Sequence, residues 1–310
     1  MPTFKEFYFD STTGKNTLYA VSCVPDSAPR GVVQIAHGIA DHIDRYRDFM
    51  QFLAENGFAA VGNDHLGHGK SIRGIEEQGF FAEENGWDYA VADMDKLHDM
   101  MSAEFPGIPY VMFGHSMGSF LTRTYVIKHP NKYDAVILSG TAHQLKPMVE
   151  SGYALSCAAA KLYGTHKFGT TLNNIAFGAY NNGFDEVRTE FDWVCGNPDA
   201  VDKYIADPFC GFVPRIGLFK DMMGGIKFIT DMDNIKKMNK TKPVMFFSGD
   251  RDPVGENGKG VLRAYKAFCD AGLTDVFMRL YPGGRHEMLN ERNNADVYKD
   301  VLDWLNEKLS

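Results

Sequence analysis

No apolar run in the 310 residues approaches the roughly 18 residues of a membrane span, so no integral membrane segment is expected. Cysteine is scarce and odd in number: Cys23, Cys157, Cys195, Cys210 and Cys269, with no C-x-x-C spacing. That excludes a zinc signature and a disulfide framework, and reduced, mostly buried thiols are expected. Basic residues are the minority, 32 Lys and Arg against 40 Asp and Glu, for a net charge of −8 with no basic block. Nucleic acid is excluded as a partner on that ground, and an anionic membrane is a poor one. The opening Met1-Pro2-Thr3-Phe4-Lys5-Glu6-Phe7-Tyr8 lacks a basic stretch followed by an apolar one, so no signal peptide is expected and the cytoplasm is the expected compartment. Internal repeats and low-complexity tracts are missing too. Composition carries no signal for an oligomeric state.

What is present is an ordinary globular composition, 44% hydrophobic and 23% charged, enriched in aromatics. The 23 Phe and 15 Met suit a large apolar interior, or a pocket with soft walls. At about 150 residues per domain, the length fits one large domain or two small ones. Short apolar runs recur at 31–36, 58–62, 110–114, 135–139, 243–247 and 276–280. Most are continuously apolar, the pattern of strands covered on both faces of a parallel sheet. Between them, Val91, Met94, Leu97 and Met101 place one apolar stripe on a helix through 87–104, and 256–271 and 294–308 read the same way. Such alternation predicts an α/β fold with a mostly parallel, doubly wound sheet. Thr17 to Val24 alternates more and suits an antiparallel edge. The alternation lapses across 141–240, too long a stretch for a structureless loop. It is expected to be a helical cap inserted into a core formed by 1–140 and 241–310.

Chemistry concentrates in Gly114-His115-Ser116-Met117-Gly118, a G-x-S-x-G directly after a strand pattern and directly before a helix pattern. On such a turn Ser116 is exposed as a nucleophile, and glycines two residues away on each side let backbone pack closely. The N–H of Met117, opening the helix, can face an oxyanion. A hydroxyl needs a base, and the base an orienting acid. In this architecture they follow the serine in the order acid, then histidine. His129 sits on the serine's own helix, and His143 and His166 fall in the insert. His286 lies in a turn between the last strand and the final helix, so it is the expected base. Ser248-Gly249-Asp250-Arg251-Asp252-Pro253 offers two acids. Asp252 precedes a proline and projects from the loop. Asp250 suits turn orientation or a pair with Arg251. Asp252 is the expected acid. A second oxyanion donor belongs in the loop after an earlier strand, where Ile35-Ala36-His37-Gly38-Ile39 supplies the N–H of Ile39.

Five ordered motifs carry a resemblance across nearly the whole chain: His37-Gly38 with Tyr46, Asn63-Asp64-His65-Leu66-Gly67-His68-Gly69-Lys70-Ser71, Gly114 to Gly118, Gly249-Asp250-Arg251-Asp252, and Arg285-His286-Glu287. Together they resemble the monoacylglycerol lipase and lysophospholipase group of α/β-hydrolases. The resemblance implies Ser116 as nucleophile, Asp252 as acid, His286 as base, and Ile39 and Met117 as oxyanion donors. It further implies a cap over the site, no cofactor, and a small-molecule ester substrate with a single acyl chain. Within the insert, Glu190-Phe191-Asp192-Trp193 and Asp207-Pro208-Phe209-Cys210-Gly211-Phe212 resemble bacterial lysophospholipase-like members.

The sequence admits two rival readings. His37, His42, Asp64, His65 and His68 could ligate Zn²⁺ and activate water. They occupy loops that the hydrolase reading already uses to shape the site, so structural hydrogen bonding is expected and no metal. The fold could also serve as a ligand receptor, which an intact Ser, Asp and His set opposes. In the insert, residues such as Met148, Tyr153, Phe168, Phe177, Trp193, Phe219, Met222 and Phe228 are expected mostly to close the insert's own core. The remainder would line an acyl pocket, with an aryl or hydroxycinnamate esterase as the alternative.

Overall fold

The computed structural model describes residues 1–309. Eight strands form one sheet: β1 (Thr3–Asp10), β2 (Thr17–Val24), β3 (Val32–Ala36), β4 (Ala59–Asn63), β5 (Tyr110–His115), β6 (Ala135–Ser139), β7 (Val244–Gly249) and β8 (Val276–Tyr281). Their spatial order is β1-β2-β4-β3-β5-β6-β7-β8. The β1–β2 and β2–β4 pairings are antiparallel and the rest parallel. The chain steps from β3 outward to β4, then returns past β3 to lay down β5. The order reverses there, leaving a crevice beyond the carboxyl ends of β3 and β5. His37-Gly38 and Ser116 follow those two ends.

Among the described residues there are ten α-helices: α1 (Arg47–Glu55), α2 (Gly86–Glu104), α3 (Met117–Lys128), α4 (Lys146–Tyr163), α5 (Thr170–Phe177), α6 (Pro198–Ala206), α7 (Ile216–Thr230), α8 (Met232–Ile235), α9 (Lys259–Asp270) and α10 (Asn294–Lys308). The sheet is covered on both faces, which is why β3 to β7 are apolar without alternation. Val32, Met112, Leu138 and Phe246 pack against α2, α3 and α9, whereas Val33, Phe113, Ile137 and Phe247 pack against α1 and α10. Strand β8 differs from the buried strand read at 276–280. It is the sheet edge, alternately exposed, with Phe277 41% accessible. Helix α9 begins at Lys259 rather than 256, because Glu256, Asn257 and Gly258 all take positive φ and turn the chain first.

Helices α4 to α8 lie between β6 and β7. The expectation that most of their large side chains close a core of their own is wrong. The insert's separate cluster contains only Val194, Cys195 and Val201 as buried members. Phe219, Met222, Ile226 and Ile229 of α7 join the main core beside α2 and α3. Met148, Leu155, Leu162 and Phe168 are exposed instead. The reason is geometric: α4 and α5 form a thin layer, with one face over a cavity and the other toward solvent.

Candidate active site

Ser116 sits between the last residue of β5 and the first of α3, with φ 54 and ψ −123. A non-glycine residue there carries about 1–3 kcal/mol of backbone strain. The turn survives because its groups are bonded. Ser116 N donates to Ser139 O at 3.0 Å, and Ser116 O accepts from Ser119 N at 2.9 Å and Ser119 Oγ at 2.6 Å. The flanking glycines are steric necessities. A Cβ on Gly114 would stand 2.5 Å from Gly118 O, and one on Gly118 would stand 2.1 Å from Ala36 O. The close approach that the sequence pattern suggested is therefore a contact between the elbow and the end of β3.

Asp252 and His286 meet. His286 Nδ1 lies 3.1 and 3.0 Å from the two Asp252 oxygens, and both residues are buried. Asp252 also accepts from Ser248 Oγ at 2.8 Å and Val254 N at 2.9 Å. Burial pushes the Asp252 carboxyl up, but the charge and hydrogen bond of His286, with these other donors, outweigh it and hold it below the ordinary carboxylate value. Burial pushes His286 down, and the Asp252 charge and hydrogen bond reverse that, leaving it above the ordinary histidine value. Gly140, at φ 56, makes room for the ring: a Cβ there would stand 2.9 Å from His286 Cε1. Asp250 is elsewhere. Its Oδ1 accepts from Gly283 N at 2.7 Å, and Arg251 turns away to donate to Gly183 O at 2.9 Å.

The loop after β3 lies against the serine, since a Cβ on Gly38 would stand 3.2 Å from Ser116 Cβ. Ile39 and Met117 line the same cavity wall as Ser116 and His286. His37 fixes this loop from behind. Its Nδ1 bonds Gly38 O at 2.8 Å, and its Nε2 accepts from His65 N at 3.0 Å. Complete burial, with His65 and His68 nearby, keeps His37 well below the ordinary histidine value. Asp64 accepts from Ile43 N at 2.8 Å and Lys70 N at 2.6 Å, while His42 Nε2 pairs with Asp207 of the insert at 2.9 Å. His37, Asp64 and His42 thus spend polar atoms on loop backbone and on the insert, as does His68 through Nδ1 on Leu66 O at 2.9 Å, while the Nε2 atoms of His65 and His68 are buried without a partner among the described residues.

The cavity holds about 420 Å³ and is walled mainly by apolar side chains, including Val149, Phe177, Phe219, Met222 and Ile226. A second cavity of about 330 Å³ shares Ile39, Phe177, Trp193 and Tyr204 with it, and adds Asn173, Asn174, Asn181 and Glu190.

Three residues escaped the sequence reading. Trp193 of the insert lies against His286, ring centres 5.4 Å apart, and His115 lies against the same ring at 4.7 Å. Arg45 bonds Glu287 through Nη1 at 2.7 Å and Nη2 at 2.6 Å, and Asp41 at 2.8 Å. Tyr204 donates to Ala40 O at 3.0 Å. Only the occurrence of Trp193 and Glu287 within quoted motifs hinted at any of this.

The family model described as "Serine aminopeptidase, S33" matches residues 27–293. A monoacylglycerol lipase of Mycolicibacterium smegmatis is 28% identical over 98% of this chain and 97% of its own length. The human monoglyceride lipase is 23% identical over 92% of this chain and 85% of its own. Among solved structures, a thermostable carboxyl esterase from Bacillus coagulans, in complex with glycerol, superposes with a TM-score of 0.92 at 28% identity, covering 99% of each chain.

Proposed function

Because the chain belongs to the serine aminopeptidase, S33 family and has the α/β-hydrolase fold, we propose that it cleaves carboxylic esters through an acyl-enzyme on Ser116. The supporting observation is a strained serine and a buried His286–Asp252 pair on the lining of a mainly apolar cavity. Ser116 Oγ attacks the carbonyl carbon as His286 Nε2 takes its proton. Asp252 holds the Nδ1–H tautomer and stabilises the imidazolium. The N–H groups of Ile39 and Met117 donate hydrogen bonds to the oxyanion. His286 returns the proton to the leaving alcohol, and water then repeats the cycle to release the acid.

The substrate reading rests on the two cavities. We assign the apolar one beneath the 141–240 cap to a single acyl chain, entering past the exposed Met148, Leu155 and Ile175. The second lies across Ile39 and Trp193 and has amide and carboxylate groups but no Lys or Arg in its lining. It suits a neutral hydroxylated alcohol better than a phosphate. The similarity to monoacylglycerol lipases points the same way. All five cysteines are free thiols, in keeping with a reducing cytoplasm.

Two experiments test the proposal. Ser116→Ala should fold but lose activity by about 10⁴–10⁶, and a fluorophosphonate should label Ser116 alone. Across esters from acetyl to long-chain acyl, kcat/KM should climb by up to about fourfold per methylene until the cavity is full. Labelling elsewhere defeats the nucleophile; a maximum at acetyl defeats the acyl chamber and favours a small-ester enzyme.

A further inference from the structure

The loop that carries Ile39 is tied to the insert by more than packing. His42, at its far end, faces a turn of the insert running from Asp207 to Cys210. A ring nitrogen of His42, an Asp207 carboxylate oxygen and Cys210 Sγ all lie within 4.8 Å of one another. His42 and Cys210 are buried, and Asp207 is partly open to solvent. We propose that these three residues form a binding site for a borderline-soft divalent cation of the Zn²⁺ type.

The donor set is the first reason. One imidazole nitrogen, one thiol sulfur and one carboxylate oxygen are the three ligand classes Zn²⁺ takes, and three protein ligands leave a fourth position for water. A second reason is orientation already paid by the protein. Asp207 Oδ1 accepts from Phe209 N at 2.9 Å, and Cys210 N donates to Asp207 O at 3.0 Å, so the turn holds its two ligands before any ion arrives. The third is charge. Asp41 and Glu287 already share the charge of Arg45, and Asp207 adds a third carboxylate beside His42. A cation between His42 and Cys210 therefore enters a region of surplus negative charge. The ion takes the thiolate, so binding must release the Cys210 proton to solvent. Asp207 offers the entry path. The ion would replace the direct His42–Asp207 bond with a clamp between the loop after β3 and the insert.

Co²⁺ tests this without relying on ester turnover. The chelator-treated protein, titrated with Co²⁺ at about pH 8, should develop a thiolate-to-cobalt charge-transfer absorption at one equivalent. Zn²⁺ should abolish that absorption by displacement. The band should vanish in Cys210→Ser, persist in Cys195→Ala and in Ser116→Ala, and require at least about tenfold more Co²⁺ in His42→Asn or Asp207→Asn. Should Cys210→Ser fail to fold, the two latter variants decide the matter through the same titration. Absence of the band at one equivalent, or a band indifferent to His42 and Asp207, overturns the site.

Discussion

Arg45 forks around Glu287, the residue that follows His286, with Nη1 2.7 Å from one carboxylate oxygen and Nη2 2.6 Å from the other. The same Nη1 reaches Asp41 Oδ1 at 2.8 Å, and Asp41 Oδ2 accepts from Gly38 N at 3.2 Å and Tyr46 OH at 2.9 Å. The loop with Ile39 and the loop with His286 are thereby fixed to each other through one guanidinium, 13% exposed.

Removing that guanidinium should cost more than removing the whole pair. Arg45→Met leaves Asp41 and Glu287 buried without a cation, a loss of about 3–5 kcal/mol. Arg45→Met combined with Glu287→Gln should recover part of it, read by urea unfolding of the single and double variants. As a positioning residue, Arg45 should lower kcat more than it raises KM. Equal stability in the single and double variants would contradict the pairing.

Asp252→Asn should lower kcat by roughly 10⁴ while Asp250→Asn costs little, since Asp250 only steadies the turn at Gly283. The pH profile supplies an independent check. His286 must be neutral to act as base, so activity rises with pH, and its raised value puts the midpoint above the ordinary 6.5. Asn at 252 deletes the charge that raises His286, leaving burial dominant. The midpoint of the residual activity should then move toward acid; an unmoved midpoint would assign the titration to another group.

Acid should destabilise the fold through its buried histidines. His37, His65, His68 and His115 are buried neutral, with burial the main cause, and the last three are pushed down to about 3, 4 and 4. Below 6.5 the unfolded chain takes up protons that the native state refuses, so each such group costs about 1.4 kcal/mol per pH unit until its folded value is reached. His286 works in the opposite sense: its raised value adds stability below 6.5 that is lost as pH rises through the folded value. With His143, also pushed down to about 4, five such histidines outweigh His286 and the buried Asp64 and Asp221, whose values raised to about 7 make the fold take up protons on the same descent, for a net loss on the order of 2 kcal/mol between pH 7 and about 5.5. Thermal melts from pH 7 to 5 measure it, and a level Tm would refute it.

Gly140→Ala should disable the base rather than unfold the protein. A Cβ at that position meets the His286 ring at 2.9–3.0 Å, and φ 56 adds backbone strain of about 1 kcal/mol or more. Activity should fall at least tenfold, with fluorophosphonate labelling slowed in parallel. Wild-type labelling rates would show that the ring has room to spare.

Much of this molecule could be read from local pattern. Strands β3 to β7 announced themselves because burial on both faces demands continuous apolar runs, and Ser116 because a strand-to-helix elbow demands glycine at 114 and 118. Chain order and Pro253 were enough to point to His286 and Asp252, which the fold brings within 3.0 Å. What pattern could not reveal were relationships without a local signature. The Arg45–Glu287 fork joins residues 242 apart in sequence, and Trp193 reaches His286 from an insert whose aromatic residues carry no readable period. The division of that insert was also decided in three dimensions. Phe219 and Leu162 are both large and apolar, yet one is buried in the main core and the other is 73% exposed. Side-chain type sets how much burial is worth; only the packing of α4, α5 and α7 over the sheet decides which side chains receive it.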